Sequence, residues 1–137
     1  MACYEFEPTP RISTYLYAIC AGPYRVFEDD DPRHVPQRVF VRESLVENLR
    51  YELVMGIAKT TLSLYQDLYG HRYPFSKVDH IMCPDYKYGA MENVGCITYA
   101  DSIMCSKKHM SIPELTFFCV VVQHELAHMW FGNLVTM

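Results

Sequence analysis

The sequence of 137 residues predicts an α+β fold, because its hydrophobic pattern changes character along the chain. Residues 1–42 are rich in β-branched and aromatic side chains and indicate strands. Residues 43–137 combine two apolar segments of helical period with two short strand-like segments. We therefore predict a boundary near residue 42 between an all-β region and a mixed region of helices and strands.

Two segments of the β-rich region have the character of strands. Residues 13–20 contain β-branched and aromatic side chains and end near a Gly-Pro pair, and residues 38–42 alternate polar with apolar side chains. Between them, the acidic residues 28–32 are typical of a solvated turn. The region is thus predicted to hold strands joined by polar loops.

The mixed region begins with a long helix. Ser44 and Glu47 match a capping box, in which each side chain satisfies a free amide of the first turn. Gly70 is the predicted end of the helix. Residues 78–83 and 96–99 are predicted to form short strands. The apolar stripe of the helix comprises Leu45, Leu49, Leu53, Ile57, Leu64 and Leu68.

The composition excludes several classes of protein. The formal net charge of −4 argues against a nucleic-acid binder, which needs a basic surface. The longest nearly apolar run, residues 115–122, is far shorter than the ~20 residues of a membrane span, and the acidic first residues do not form a secretory signal. The six cysteines form no C-x-x-C pair and have mostly apolar neighbours, so we expect buried thiols in a reducing compartment.

A second helix carries the residues that suggest chemistry. It is predicted to begin at a capping box formed by Ser111 and Glu114 and to continue through Phe131, next to Gly132. Its residues 124–128 have the pattern H-E-x-x-H. The two turns before this pattern are apolar on nearly all sides, which predicts a buried helix.

The H-E-x-x-H pattern predicts a metal site. His124 and His128 lie about 40° apart around a helix axis, so both imidazoles can reach one zinc ion. Glu125 points about 100° away from His124 and is placed to take a proton from the attacking water. The pattern therefore indicates hydrolysis of a peptide or an ester. The alternative is that both histidines are core residues hydrogen-bonded to carbonyl groups.

Zinc needs a third protein ligand, and its position distinguishes the metallopeptidase families. A metzincin would have glycine and histidine where this sequence has Phe131 and Leu134. Since the sequence stops nine residues after His128, we expect it to be a fragment of a longer enzyme. Four upstream residues lack the support of a ligand motif: Asp85, Asp101, His109 and Glu114.

Three groups of residues resemble the M1 family of zinc aminopeptidases, the aminopeptidase N-like gluzincins. They are residues 89–93 (Gly-Ala-Met-Glu-Asn), the H-E-x-x-H pattern some thirty residues later, and residues 130–137 (Trp-Phe-Gly-Asn-Leu-Val-Thr-Met). In addition, residues 6–16 resemble the end of the family's N-terminal β domain, and residues 73–79 resemble the entry to its catalytic sheet. The resemblance covers nearly the whole chain.

The resemblance implies a role for each matched residue. His124 and His128 would bind one Zn²⁺ ion, and Glu125 would be the general base. Glu92 would hold the free α-ammonium group of the substrate, which makes the enzyme an exopeptidase. The strand along which the substrate backbone lies would comprise Gly89, Ala90, Met91 and Asn93.

The resemblance also implies the domain organisation. Residues 1–42 would be the C-terminal part of the N-terminal β domain, and residues 43–137 the first half of a thermolysin-like catalytic domain. The family's third zinc ligand, a glutamate, and its oxyanion-stabilising tyrosine would lie beyond Met137. The 137 residues alone are therefore expected to bind zinc weakly and to hydrolyse little. Val94 and Met129 stand where Trp and Gln are commoner in the family.

The implied partners are peptides with a free N-terminus, with no nucleic acid and no membrane segment within this chain. We expect a cytoplasmic location, although the family also includes membrane-anchored ectoenzymes. Two alternatives remain open. One is an epoxide-opening hydrolase, a branch of the family that usually has a second glycine in place of Ala90. The other is a truncated copy that keeps the motif but performs no chemistry.

Overall fold

One five-stranded sheet packs against two long helices in the computed structural model, which describes residues 3, 5–6, 8–105 and 110–136. The strands are β1 (Tyr24–Asp29), β2 (Gln37–Arg42), β3 (Val78–Cys83), β4 (Ala90–Met91) and β5 (Cys96–Ala100). Their order across the sheet is β1-β2-β3-β5-β4. The predicted mixture of helices and strands is confirmed.

The sheet combines antiparallel and parallel pairs. β1 and β2 form an antiparallel hairpin, β2 pairs in parallel with β3 and β3 with β5, and β4 is antiparallel to β5. The strands predicted at residues 38–42, 78–83 and 96–99 are confirmed, whereas the predicted acidic turn begins only after β1 ends at Asp29. Because β2 pairs with β3, the sheet continues across residue 42. The assignment of the two sides to separate domains stays a prediction.

The first long helix, α1 (Tyr51–Tyr69), begins later than predicted. The residues before it form a 3₁₀ helix (Glu43–Asn48), so the predicted start at Ser44 is wrong. The physical reason lies at Leu49, which is buried in the core and has extended backbone dihedrals of −95° and 129°, so the helical path is interrupted there. Gly70 ends α1 as predicted, in the left-handed conformation that glycine adopts without strain.

The second long helix begins as predicted but ends earlier. A short helix, α2 (Asp101–Met104), follows β5, and α3 (Ile112–Ala127) starts at the capping box, where the Ser111 N–H donates to the Glu114 carboxylate at 2.7 Å. The prediction that the helix runs through Phe131 is wrong. After Ala127 the chain forms a wider turn, in which each backbone carbonyl accepts a hydrogen bond from the N–H five residues later. The pairs of carbonyl and N–H are His128 with Asn133, Met129 with Leu134, and Trp130 with Val135.

Residues 13–20 form no strand, contrary to the prediction. Thr14–Leu16 is a single 3₁₀ turn, and Leu16 is its buried residue. The carbonyl of Leu16 accepts hydrogen bonds from the Val94 N–H at 3.2 Å and the Asn93 side chain at 3.3 Å. This segment is therefore tied to the loop between β4 and β5 and not to a neighbouring strand. Aromatic and β-branched residues favour strands only where a pleated, half-buried surface receives them.

The core lies between one face of the sheet and the helices α1 and α3. The prediction of buried cysteines is wrong, because Cys3 and Cys20 are exposed and the other four thiols are partly exposed. Two of these, Cys83 and Cys96, are end residues of β3 and β5, whose other residues are all buried, so burial is incomplete only at the ends of these strands. Among the described residues, none of the helices has both the length and the apolar character that a membrane crossing needs.

His80 on β3 is a titratable residue in this core. Its ring is fully buried and stacked against Tyr99, with Nδ1 3.1 Å from the Tyr99 hydroxyl. Its Nε2 has no hydrogen-bond partner within the part of the chain that the structure describes. Burial lowers the pKa of His80 to about 4, and the charge of Asp79 opposes this shift only in part.

We expect acid to destabilise the protein through His80. Between the ordinary histidine pKa of 6.5 and about 4, the unfolded chain binds a proton that the folded chain excludes. The contribution of His80 to the free energy of unfolding should therefore fall as the pH is lowered through this range, by about 3 kcal/mol in total. Glu125, whose pKa is raised to about 7, acts in the opposite direction over the same range, so the contribution of His80 is obtained by comparing the parent with a variant that lacks His80. Denaturant unfolding of the parent and of His80→Leu near pH 7 and near pH 4 measures this contribution.

Relative to His80→Leu, which lacks the titrating group, the parent should lose about 3 kcal/mol of unfolding free energy as the pH is lowered. The matched control is His71→Gln, which replaces an exposed histidine and should lose the same amount as the parent relative to His80→Leu. An equally steep pH dependence in His80→Leu and the parent protein would contradict the assignment.

Candidate active site

His124 and His128 face each other at the C-terminal end of α3. Their Nε2 atoms are 3.1 Å apart, and the two ring planes are nearly perpendicular, at 86°. Two nitrogen ligands of a tetrahedral zinc ion, each about 2.0–2.1 Å from the metal, lie about 3.3 Å apart. The observed separation of the two nitrogens is therefore close to that of a shared zinc ion.

The backbone carbonyl of Phe131 orients the His128 ring. Its oxygen lies 2.9 Å from Nδ1 of His128. Because a carbonyl oxygen can only accept, Nδ1 carries the proton and Nε2 keeps its lone pair on the side of His124. A carbonyl behind an imidazole is typical of metal-binding histidines, since it selects the tautomer and increases the basicity of the other nitrogen. Because α3 ends at Ala127, the Phe131 carbonyl can accept this hydrogen bond from the His128 ring.

Glu125 is a buried carboxylate next to the histidine pair. Only 6% of the residue is exposed, and its Oε2 has no hydrogen-bond partner among the described residues. Burial and the charge of nearby Glu92 raise the pKa of Glu125 to about 7, against the opposing charge of His128. A buried carboxylate with a free oxygen and a pKa near neutrality is suited to accept a proton.

The described residues supply two nitrogen ligands for zinc. Within residues 3–105 and 110–136, apart from the undescribed positions, no group of three His, Cys, Asp or Glu side chains could hold a metal ion. Asp101 instead pairs with Arg42, and Glu114 caps α3. His109, another upstream candidate from the sequence, lies outside the described residues. The donor set fits zinc as part of a three-ligand site.

Residues 89–91 form the last edge of the sheet. β4 pairs on one side with β5, where Ala90 lies opposite Tyr99, and it is the last strand in the sheet order. Gly89 has a positive φ of 77°, a conformation that favours glycine, and its carbonyl accepts the Ala100 N–H at 2.6 Å. The local sequence thus turns the chain into a very short edge strand.

A cavity of about 230 Å³ lies between this edge and α3. Gly89 and Ala90 line it from the strand side, and His124 and Glu125 line it from the helix. Two residues of the predicted substrate strand and two of the residues predicted to perform chemistry therefore share one cleft. The other predicted site residues do not line it: Met91, Glu92, Asn93 and His128. The other lining residues are mostly apolar: Tyr88, Ile103, Phe117, Val120 and Val121.

Glu92 follows β4 directly, and Asn93 points elsewhere. The charge of Glu92 raises the pKa of Glu125, so the two predicted carboxylates lie in the same region. Asn93 is buried, and its side-chain oxygen accepts a hydrogen bond from the Thr98 hydroxyl at 3.1 Å while its amide donates to Leu16. The structure thus gives the Asn93 side chain a role in anchoring the loop. Substrate binding by these residues stays a prediction.

Asn133 belongs to the segment 130–137 that resembles the M1 family, but the sequence predicted no role for it. Its side-chain N–H donates to the Glu92 carbonyl at 2.8 Å. A short polar residue after Gly132 commonly bonds to backbone groups in a turn, which is the one signal present in the sequence. A partner 41 residues away cannot be read from spacing.

An H-E-x-x-H helix beside the edge strand of a sheet is the arrangement of a broad class of metallopeptidases. The Peptidase family M1 domain matches residues 53–137. Aminopeptidase N of Streptomyces lividans is 38% identical over 98% of this chain, and Aminopeptidase N of Rattus norvegicus is 37% identical over 96%. Aminopeptidase M1 of Arabidopsis thaliana is 38% identical over 97%.

The chain belongs to peptidase family M1, and the resemblance seen in the sequence is confirmed. The chain spans 16%, 14% and 15% of the lengths of these three relatives, in the order given.

Proposed function

We propose that this chain is part of a zinc-dependent aminopeptidase that removes N-terminal residues from peptides. The observation that carries the proposal is the shared cleft, which His124 and Glu125 line from one side and Gly89 and Ala90 from the other. Membership of the M1 family and relatives named aminopeptidases support peptide substrates.

The proposed binding mode starts at the edge strand. A peptide in extended conformation can add to an exposed sheet edge through main-chain hydrogen bonds, which accept any sequence. β4 and the preceding Gly89 would provide this edge. Glu92 would pair with the α-ammonium group at the end of the strand, so that the first peptide bond lies near the histidine pair. Blocked or internal peptide segments lack this charge and would be rejected.

The proposed catalytic step uses Glu125 as the general base. His124 and His128 would hold the zinc ion through their Nε2 atoms. A bound zinc ion polarises the substrate carbonyl and makes water more acidic. Glu125 would accept the proton from the attacking water and later deliver it to the leaving amine. The partners that complete the zinc site are proposed to lie outside these 137 residues, since the relatives are six to seven times longer.

Ala90 supports the aminopeptidase over the epoxide-opening alternative. That branch of the family usually has a glycine at this position, and the relatives named above are aminopeptidases. Only a measurement of activity distinguishes the proposed aminopeptidase from a copy that keeps the motif but performs no chemistry.

The test is the variant Glu92→Gln in the full-length protein. Leucine p-nitroanilide should be cleaved by the parent, and N-acetyl-leucine p-nitroanilide should not. Glu92→Gln should raise KM for the free amine by at least about tenfold, because a charge-assisted contact is lost.

The control is Glu47→Gln, which neutralises an exposed acid outside the cleft and should leave KM unchanged. Equal cleavage of the free and the acetylated substrate by the parent would refute the exopeptidase assignment. Absence of any activity in the full-length protein would favour the inert copy.

A further inference from the structure

Asn133 makes hydrogen bonds to both ends of the proposed site. Its side-chain N–H donates to the Glu92 carbonyl at 2.8 Å, and its backbone N–H donates to the His128 carbonyl at 3.0 Å. The side-chain nitrogen also lies 3.4 Å from the Met129 sulfur. The residue itself is only 4% exposed, and its contact with the half-buried Glu92 is part-buried.

The chemistry of these partners fixes the orientation of the amide. The Glu92 carbonyl can only accept, so the nitrogen of the Asn133 amide must face it. The sulfur of Met129 is a weak acceptor and takes the second N–H of the same group. A flipped amide would place its oxygen against the Glu92 carbonyl oxygen, which is repulsive. The contact to Glu92 is therefore specific to a donor at this position.

Asn133 links two parts of the chain that reach the cleft from different elements. Glu92 stands at the end of β4, whereas His128 stands at the end of α3. Asn133 donates a backbone hydrogen bond to His128 and a side-chain hydrogen bond to Glu92, and the two bonds together set the distance between His128 and Glu92. Loss of the Asn133 donor would leave the Glu92 carbonyl without its partner in this part-buried contact, which costs free energy.

We propose that Asn133 is a positioning residue for recognition of the substrate amine. It holds the Glu92 backbone at a fixed distance from His128. At this distance, the ammonium group of a substrate can pair with Glu92 while the first peptide bond lies near the histidine pair. This inference rests on the proposed function. Asn133 itself contacts no substrate in this scheme and acts through Glu92.

The test compares substrates with and without the amine in the full-length protein. The variant Asn133→Leu keeps the approximate shape of the side chain and removes the donor, and Asn133→Ala serves as a second variant. For each, we expect the ratio of kcat/KM for leucine p-nitroanilide to that for 4-methylpentanoyl p-nitroanilide, which lacks the amine, to fall about tenfold or more. The loss should appear mainly in KM of the free-amine substrate.

A second background shows whether Asn133 acts through Glu92. In Glu92→Gln, where the amine contact is already lost, adding Asn133→Leu should lower the ratio no further. Met129→Leu is the local control, since it removes the sulfur contact and keeps the donor to Glu92; it should leave the ratio unchanged. Equilibrium binding of leucinol and 4-methylpentan-1-ol, which have no amide bond to cleave, should follow the same pattern when it is measured by calorimetry.

The outcomes separate this inference from the proposed function. If Glu92→Gln lowers the ratio but both Asn133 variants keep it, the positioning role is wrong and the proposed function stands. If both Asn133 variants lose activity equally on the two substrates, Asn133 is merely structural and the inference is again overturned. If the parent shows no preference for the free amine, the proposed function fails and this inference fails with it.

Discussion

Replacing Glu125 by glutamine is expected to lower kcat for peptide hydrolysis about 10²–10⁴-fold in the full-length protein. Glutamine has the shape of glutamate but cannot accept a proton at neutral pH. Glu125 is buried and lines the cleft, whereas the nearby Glu92 is assigned to the substrate amine, so no other side chain is expected to take over the task of Glu125. KM should change little, since the substrate contacts lie at residues 89–92.

The control for this variant is Glu114→Gln on the same helix. Glu114 accepts the Ser111 N–H at the start of α3, and the glutamine oxygen can accept the same bond. Zinc content, measured by atomic absorption, should be the same in Glu125→Gln, in Glu114→Gln and in the parent. A Glu125→Gln protein that keeps its zinc and its full kcat would exclude Glu125 as the base.

Replacing His128 by phenylalanine is expected to abolish both zinc binding and activity. Phenylalanine preserves an aromatic ring in the turn after α3 but removes the Nε2 lone pair that lies 3.1 Å from His124. Since the loss of a mere supporting group costs a metal site about 10–100-fold in affinity, the loss of a ligand should cost at least ~10²-fold. Competition with a zinc-sensitive dye, together with atomic absorption, measures the change.

His71→Phe is the matched control for the same substitution at an exposed histidine. It should bind zinc as the parent does, because the carbonyl of residue 71 that receives the Trp130 indole N–H is part of the backbone. Removal of zinc from the parent by a chelator should abolish activity, and added zinc should restore it. Full activity of the chelated parent would contradict the metal assignment.

The sequence predicted those elements whose pattern matches their surroundings in the fold. β3 and β5 lie within runs of apolar and β-branched residues that are buried in the core. α3 begins at a capping box, which Ser111 and Glu114 form without help from distant residues. The errors occur where a contact with a residue far away in the sequence determines the local structure. Residues 13–20 have strand propensity, but the Leu16 carbonyl binds the loop after β4 instead.

The site was predictable to a similar degree. The spacing of His124 and His128 on a helix predicts two facing imidazoles, and the structure has them. The supporting contacts could not be predicted, because they depend on where α3 ends. The carbonyl that orients His128 comes from Phe131, which the sequence assigns to the helix, and in a continuing helix that carbonyl would not be directed at the ring.

The brevity of β4, only two residues at the margin of the sheet, has a consequence for selectivity. Under the proposed binding mode, this strand would bond only to the leading residues of a peptide. Main-chain hydrogen bonds of this kind do not depend on the side chains of the bound peptide. The contribution of β4 to substrate binding would therefore be the same for peptides of unrelated sequence.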